Sequence, residues 1–162
     1  MSGSAGVYLK CRVGREWYAI HVAHIVRVLH LVALTELPAS DPYVLGMLTL
    51  PDRVAPVIDL RRRFGLADIV YRLDTPIVAV ETPHGTVGLV VDEADDIESI
   101  NEEQLAPFTG SVSPYIVGVA RSSDHLLLLL NTSLLGAEAR SAGQTLAAEE
   151  SSSNGAAYRK EV

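Results

Sequence analysis

The feature that most constrains the fold is a repeated pairing of short alternating segments around brief turns. Residues 7–13 alternate between apolar and polar side chains, and residues 16–22 resume the alternation after Gly14-Arg15. A two-residue loop that begins with glycine suits a type II′ hairpin turn, because glycine tolerates a positive φ. The chain is therefore predicted to open with a β-hairpin that places Val7, Leu9, Cys11 and Val13 on one face and Tyr8, Lys10 and Arg12 on the other.

The same pattern recurs three times and indicates about nine short strands in an all-β sandwich or barrel. Pro56 cannot donate to a strand ladder, so it is expected at a sheet edge or a bulge. Leu126–Leu130 does not alternate, which is typical of a strand covered on both faces. The three further segment pairs are 44–50 with 53–58, 76–81 with 86–91, and 115–121 with 125–130.

Helices are predicted to be minor. His24–Leu31 is expected to form about two helical turns, with Ile25, Val28 and Leu29 on one side. Asp59 can cap a short turn that runs through three arginines to Phe64 and stops at Gly65. A closing helix is expected to begin at Thr132 or Ser133, and the residues from Gly143 onward are typical of a disordered tail.

Composition narrows the class of protein. The length of 162 residues suits one domain, and the formal net charge of −7 argues against binding to nucleic acid. The lone Cys11 can form neither an internal disulfide nor a thiolate zinc site, and fits a reducing compartment. Residues 1–6 show no secretory signal and no apolar run is long enough to insert into a membrane, so a cytoplasmic protein is expected.

Familiar catalytic motifs are absent from the sequence, and no cofactor is implied. His21, His24 and His30 leave open a metal-dependent enzyme, although their spacing follows no zinc pattern. The acidic run from Asp92 to Glu103 fails the calcium-loop template, because its sixth position is Ile97 and the template requires glycine there. This run is interpreted as a solvated strand edge and turn. Arg61–Arg63 is interpreted as the wet face of a short helix, with hydrogen bonding to an acidic protein partner as the alternative.

Several stretches together resemble the CheW-like domain family. Residues 13–20 resemble its opening hairpin, in which a glycine turn precedes a Tyr-Ala-Ile strand. Residues 46–50 and 56–61 resemble a signature of Gly-Val-x-Asn-Leu-Arg-Gly followed by Pro-Val-Ile-Asp-Leu-Arg. Residues 87–92 resemble Val-Gly-Leu-x-Val-Asp, and residues 115–120 with 126–131 match the closing hairpin. The pieces occur in family order.

This resemblance implies a fold of two intertwined five-stranded SH3-like barrels with short helices. The resembling pieces cover residues 7–136, which are expected to form the CheW-like domain, and the remaining residues are expected to form a flexible N-terminus at 1–6 and a helical start followed by a disordered acidic tail at 137–162. Members of the family are adaptors without catalysis that link the cytoplasmic tip of a chemoreceptor to the regulatory domain of the histidine kinase CheA. A cytoplasmic location with recruitment to receptor arrays at the inner membrane follows from that role. No residue is assigned to the kinase surface.

The resemblance also predicts a receptor-binding set made of Ile25, Arg27, Val28, Leu50 and Val54. Two departures fall in this region. Thr49-Leu50-Pro51-Asp52 stands where the family has Asn-Leu-Arg-Gly, and Arg27 stands where many members carry an acid. These departures, at Thr49, Pro51, Asp52 and Arg27, suggest a divergent adaptor for a dedicated chemosensory pathway. The alternative within the same class is a kinase-binding competitor or insulator that no longer binds receptors.

Overall fold

The computed structural model describes residues 4–37, 41–67, 69–106, 113–123 and 125–141, and these form an all-β fold with short helices, as predicted. The four predicted hairpins are all present. The strands are β1 Gly6–Val13, β2 Glu16–His21, β3 Ile25–His30, β4 Val44–Leu50, β5 Arg53–Asp59, β6 Pro76–Thr82, β7 Gly85–Val90, β8 Glu93–Ile100, β9 Leu105–Ala106, β10 Ile116–Arg121 and β11 Leu126–Leu130.

The strands form two sheets, and the first contains strands from both the beginning and the end of the chain. A six-stranded sheet has the order β8-β1-β2-β11-β10-β9, so it combines strands from both ends of the chain, whereas the middle of the chain forms a five-stranded sheet in the order β3-β6-β7-β5-β4. The β1–β2 hairpin turns at Gly14, which has the predicted positive φ of 64°. Each barrel was expected to have five strands, and the two-residue β9 gives the first sheet a sixth.

The five-stranded sheet curls but does not close with a continuous ladder among the described residues. The segment that follows the edge strand β3 meets the other edge strand, β4, through one isolated bridge, in which Thr35 and Met47 exchange backbone hydrogen bonds of 3.0 and 2.8 Å. Gly46 makes this approach possible, because a Cβ at that position would collide with the Thr35 carbonyl. Its φ of 150° also lies in a region that other residues rarely adopt.

Three apolar cores follow from this arrangement. The largest contains residues of both sheets and of the C-terminal helix, so it lies between the sheets. A second core draws only on the six-stranded sheet and its flanking residues, and a third only on the five-stranded sheet. We call these the inter-sheet core (including Leu9, Cys11, Ile58, Val78, Val80 and Leu130), the first core (Tyr8, Ala19, Ile100, Ala120, Leu127 and Leu129) and the second core (Leu48, Leu50, Val57, Ile77, Ala79 and Val90).

The helix predicted over His24–Leu31 was wrong. A 3₁₀ turn covers Val22–His24, and Ile25–His30 forms strand β3, paired antiparallel with β6. The apolar spacing of this stretch fits either structure. Its β-branched residues, Ile25, Val26 and Val28, favour a strand, and pairing with β6 supplies the backbone partners that a helix would supply internally.

Two smaller expectations also need correction. Pro56 lies in β5, which is an interior strand, although it falls just before the stretch Val57–Asp59 that pairs with β7. Pro56 pairs with Met47 of β4, and a register irregularity in β4, between Val44 and Gly46, lies next to this pair. In β11, Leu126 is 55% exposed, so that strand is covered on both faces only beyond its first residue.

The short helices begin where the capping residues indicate. Asp59 accepts a hydrogen bond from the Arg61 backbone N–H and caps helix α1, Leu60–Arg63, and Gly65 follows it with a φ of 74°. A second helix, α2, spans residues 132–141, and the Asn131 side chain accepts from the Leu134 N–H at 3.2 Å. The predicted tail beyond it, and the first three residues, lie outside the described residues.

Among the described residues, no helix is both long enough and apolar enough to cross a membrane.

Candidate functional site

The structure divides the predicted receptor-binding residues between the two faces of the five-stranded sheet. Ile25 pairs with Val80 and Val28 pairs with Val78, and both β6 partners belong to the inter-sheet core. Directly paired residues share a sheet face, so Ile25 and Val28 lie at the border of that core. Val54 lies on the same face, because it is four residues before Ile58 in β5 and side chains alternate along a strand. It is 61% exposed, and its strand is separated from β3 by β6 and β7.

Arg27 and Leu50 lie on the other face. Arg27 pairs with Ala79, which belongs to the second core. Residues two apart in a regular strand share a face, but a register irregularity between Ile25 and Arg27 places these two on opposite faces. Leu50 is only 6% exposed and is itself a member of the second core. Its side chain therefore packs beneath the surface, where it can support neighbouring contact residues.

Four charged side chains interact beside the turn of the β4–β5 hairpin, and we call them the charged rim: Arg27, Asp52, Arg53 and Glu81. The Arg53 guanidinium donates to both Asp52 carboxylate oxygens at 3.2 and 3.0 Å and to Glu81 at 2.6 Å. Arg53 also donates to the Thr86 hydroxyl, which in turn donates to Glu81 at 2.8 Å. The rim thus connects β5, β6 and β7 with the turn after β4.

Asp52 and Arg27 interact electrostatically within this rim. Hydrogen bonds from Arg53 lower the pKa of the Asp52 carboxyl, and the charge of Arg27 contributes in the same direction. Two of the residues that depart from the family pattern, Arg27 and Asp52, therefore lie within electrostatic range of each other although 25 positions separate them in the chain. No pattern in the sequence indicates this proximity, because it depends on the curl of the sheet.

Pro51 and Asp52 form the whole turn of the β4–β5 hairpin. Leu50 pairs with Arg53, and Thr49 pairs with Val54 on the adjacent outer position. Thr49, Pro51 and Asp52 are all exposed. The three departures thus occupy the tip of one hairpin, next to the exposed Val54.

The arginine run is not a wet helix face, and the interpretation of Arg61 was wrong. Its side chain is 3% exposed and donates to the fully buried Asp59 through two nitrogens, at 3.0 and 3.1 Å. It also donates to the Val70 carbonyl at 2.9 Å and to Asp92 at 3.2 Å. Tyr71 donates its hydroxyl to Asp59 at 2.5 Å, which completes the carboxylate's surroundings.

This network explains two of the family motifs in physical terms. Asp59 and Arg61 end the motif that spans residues 56–61, and Asp92 ends the motif that spans residues 87–92. Asp92 also accepts from the backbone N–H of Gly14 at 2.7 Å. The two motifs therefore supply one ion network that fixes the β1–β2 turn of the six-stranded sheet to helix α1 of the five-stranded sheet.

Arg63 makes a second connection between the two halves. It donates to both oxygens of Glu138 on α2, at 2.9 and 2.8 Å, and lies between the rings of Tyr43 and Tyr115. The hydrogen bonds from Arg63 lower the pKa of Glu138. Burial, with donation of the hydroxyl to Glu138, raises the pKa of Tyr115 to about 12. Within the run, Arg62 is the exposed member, bonded to Tyr71 and the Pro42 carbonyl.

Cys11 and the three histidines, which the sequence offered as candidates for catalysis, do not form an active site in the structure. Burial raises the pKa of the Cys11 thiol to about 12, which keeps it protonated and unreactive. The rings of His21 and His24 lie 5.7 Å apart, whereas His30 lies at the far end of β3. Over the described ranges, no group of three metal-ligating side chains converges.

The acidic segment forms a strand edge and turn, as predicted. Glu93–Ile100 is the edge strand β8, and a 3₁₀ turn follows at Glu102–Gln104. Lys10 on β1 lies 3.5 Å from Glu98 and 3.9 Å from Asp96. Charged side chains on an edge strand discourage pairing with another chain, so this edge is protected.

Comparison with known proteins identifies the family. A CheW-like domain model matches residues 7–140. The chain is 34% identical over 92 residues to the chemotaxis protein CheW of Bacillus subtilis, an alignment that covers 57% of this chain and 58% of that protein. It is 27% identical over 121 residues to the CheW protein of Helicobacter pylori, covering 73% of each.

The fold is also that of a solved relative. The crystal structure of the scaffolding protein TtCheW from Thermoanaerobacter tengcongensis superposes with a TM-score of 0.72 at 24% identity, covering 78% of this chain and 89% of that one. The sheet topology, the paired motifs around Arg61 and the match across residues 7–140 agree with one another. The chain belongs to the CheW-like domain family.

Proposed function

We propose that the protein is an adaptor that couples the cytoplasmic tip of a chemoreceptor to the regulatory domain of a CheA-type histidine kinase. The observation that carries the proposal is the family match across residues 7–140. The family consists of non-catalytic scaffolds, so the chain is not an enzyme. In this role the protein acts in the cytoplasm, at receptor arrays on the inner membrane.

An adaptor of this kind transmits a signal through differences in affinity. It can shift a kinase between two arrangements only if its contacts are stronger in one of them. A coupling free energy of about 1–3 kcal/mol per link is typical of such systems. A rigid body suits this task, and the ion networks around Arg61 and Arg63 connect the two halves of the fold.

For the receptor side, we propose that Ile25, Val28 and Val54 make apolar contacts and that Arg27 makes a polar one. Leu50 is buried, so we assign it the role of packing behind this surface and supporting the residues that make contact. Exposure of Val54 and Val28 next to the inter-sheet core supports this assignment, because exposed valines at such a border gain from being covered by a partner.

The test is direct binding of the purified protein to two separate fragments, the kinase regulatory domain and a receptor signalling fragment from the same cell. The adaptor proposal predicts binding to both. Binding to the kinase alone would support the insulator alternative, and failure to bind the kinase would exclude both adaptor readings. Calorimetric titration gives both affinities without a label.

Val54→Glu is predicted to weaken receptor binding about tenfold or more while the protein stays folded, because a charge at a covered apolar position must be desolvated. The matched control is Ile97→Glu on β8, since Ile97 is 64% exposed, close to Val54, but lies on the other sheet. Equal affinities for wild type and Val54→Glu would contradict the assignment.

The hairpin tip supplies a second test. The double substitution Pro51→Arg with Asp52→Gly restores the family pattern and is predicted to strengthen receptor binding if the departures weaken it. Far-UV circular dichroism should confirm that the β4–β5 hairpin survives. If affinity does not increase, the receptor surface has diverged at residues other than Pro51 and Asp52.

A further inference from the structure

A cavity of about 500 Å³ lies at the end of the six-stranded sheet where β2 and β11 finish, beside the start of α2. Its apolar wall is formed by Val117, Leu129 and Leu130. Leu129 belongs to the first core and Val117 packs against that core, so the wall continues the packed interior of the sheet. Small-molecule sites are typically cavities of this size that combine an apolar wall with a few polar groups.

The polar side of the cavity is rich in hydrogen-bond donors. Thr132 and Ser133 line it from α2, and His21 and His24 line it from the 3₁₀ turn between the two sheets. The two imidazole rings lie 5.7 Å apart. His21 Nδ1 accepts a hydrogen bond from the Ala23 N–H at 3.1 Å, so in the neutral ring Nε2 carries the hydrogen and is a donor.

Most of these donors are not engaged elsewhere. Within the described ranges, no hydrogen bond involves the hydroxyls of Thr132 and Ser133 or the ring nitrogens of His24. Asn131 and Tyr8, which also line the cavity, are occupied. The Asn131 amide donates to one backbone carbonyl and its oxygen accepts from a backbone N–H, and the Tyr8 hydroxyl donates to another carbonyl. The free polar groups therefore belong to α2 and to the 3₁₀ turn.

The charge of the cavity suits an anion. None of the described residues that line it is an aspartate or a glutamate, although the formal net charge of the protein is −7. Glu98 pairs with Tyr8 across β1 and β8, but it is already held by Lys10 at 3.5 Å and by a hydrogen bond from Ser122. A cationic ligand would find no opposite charge in the described lining, whereas a carboxylate would find several donors.

We propose that this cavity binds a small organic carboxylate. The carboxylate oxygens accept hydrogen bonds from Thr132, Ser133 and His24. The apolar body of the ligand lies against Val117 and Leu129, and this wall favours an organic acid over an inorganic anion, which has no apolar surface to bury. None of the described lining residues belongs to the predicted receptor-binding set, so the inference does not depend on the proposed function.

The test is an NMR titration of the full-length, isotope-labelled protein with isocaproate as the probe. Isocaproamide has almost the same shape without the charge, and inorganic phosphate is an anion without an apolar body. Isocaproate is expected to shift the backbone amide signals of Thr132 and Ser133 in a saturable way. It is expected to bind at least about tenfold more tightly than either isocaproamide or phosphate.

Two variants of Thr132 locate the site. Thr132→Glu places a carboxylate in the cavity and is expected to abolish isocaproate binding, while an acid in the first turn of a helix is well tolerated. Thr132→Val keeps the shape of the side chain without its hydroxyl and is expected to weaken binding about threefold. The matched control is Thr49→Glu, the same change at an exposed position on the other sheet, which is expected to bind like wild type.

Each arm of the experiment can overturn part of the inference. Shifts that are absent or do not saturate would exclude a binding site. Equal affinities for isocaproate and isocaproamide would exclude recognition of the carboxylate, and equal affinities for isocaproate and phosphate would exclude a role for the apolar wall. Isocaproate binding by Thr132→Glu as tight as by Thr49→Glu would place the ligand outside this cavity.

Discussion

Replacing Arg61 with methionine tests whether the buried ion network holds the two sheets in register. The substitution keeps a long apolar stem and removes a guanidinium that makes four hydrogen bonds, two of them to Asp59. Asp59 is 0% exposed, so the carboxylate is left in the interior, and among the described residues only the Arg61 backbone N–H and the Tyr71 hydroxyl still donate to it.

The expected cost is about 3–5 kcal/mol of the free energy of unfolding, which is typical for removing one partner of a buried pair. This is a large part of the total of about 5–15 kcal/mol that domains usually have. For a chain of this length, the melting temperature is expected to fall by roughly 6–20 °C.

Urea unfolding provides the assay, followed by far-UV circular dichroism and by the fluorescence of Trp17, the single tryptophan. Arg62→Met is the matched control, because Arg62 is exposed in the same helix, and its expected cost is below about 1 kcal/mol. The double variant Asp59→Asn with Arg61→Met should be less destabilised than the sum of the single variants, since no buried charge is left behind. An Arg61→Met protein as stable as the Arg62→Met control would refute the reasoning.

Two further predictions concern α2. Glu138→Gln should cost about 1–2 kcal/mol near neutral pH, because Arg63 loses a charged acceptor. Since the folded-state pKa of Glu138 lies below its unfolded value, that stabilisation is present above about pH 4.3 and is lost as the pH falls through the folded pKa, so the difference from wild type in urea unfolding should shrink in acid. Gly136→Ala should destabilise the protein by about 1–3 kcal/mol despite the better helix propensity of alanine, because its Cβ would collide with the Thr82 side chain. Thermal unfolding of Gly136→Ala with and without Thr82→Ala checks this, and a gain in stability from Gly136→Ala alone would contradict it.

Local features of the fold could be predicted from the sequence wherever a residue type dictates the backbone. Gly14 permits the turn of the first hairpin, and Asp59 and Gly65 mark the two ends of α1. These signals depend on neighbours in the chain, so they do not require knowledge of the tertiary structure. β3 was missed because its spacing fits a helix as well as a strand, and its pairing with β6 is a long-range interaction.

The candidate site was predictable only in part, and for the same reason. The exposure of Val54 and Val28 agrees with a contact role, but the burial of Leu50 depends on the curl of the sheet. The run of three arginines indicated a solvated face, since charge runs usually are solvated. Its first member instead pairs with Asp92, which is 31 residues away in the sequence. The signal that could have indicated the ion pair is a carboxylate enclosed by apolar residues two positions before an arginine, as in Ile58-Asp59-Leu60-Arg61.

The most direct measurement of the central claim is a titration of the kinase regulatory domain with the protein, carried out with and without a saturating receptor fragment. An adaptor that connects the two partners must bind the kinase domain, and must still bind it while the receptor fragment is in place. A stoichiometric complex of all three components is expected. Absence of kinase binding, or complete competition between the two partners, would contradict it.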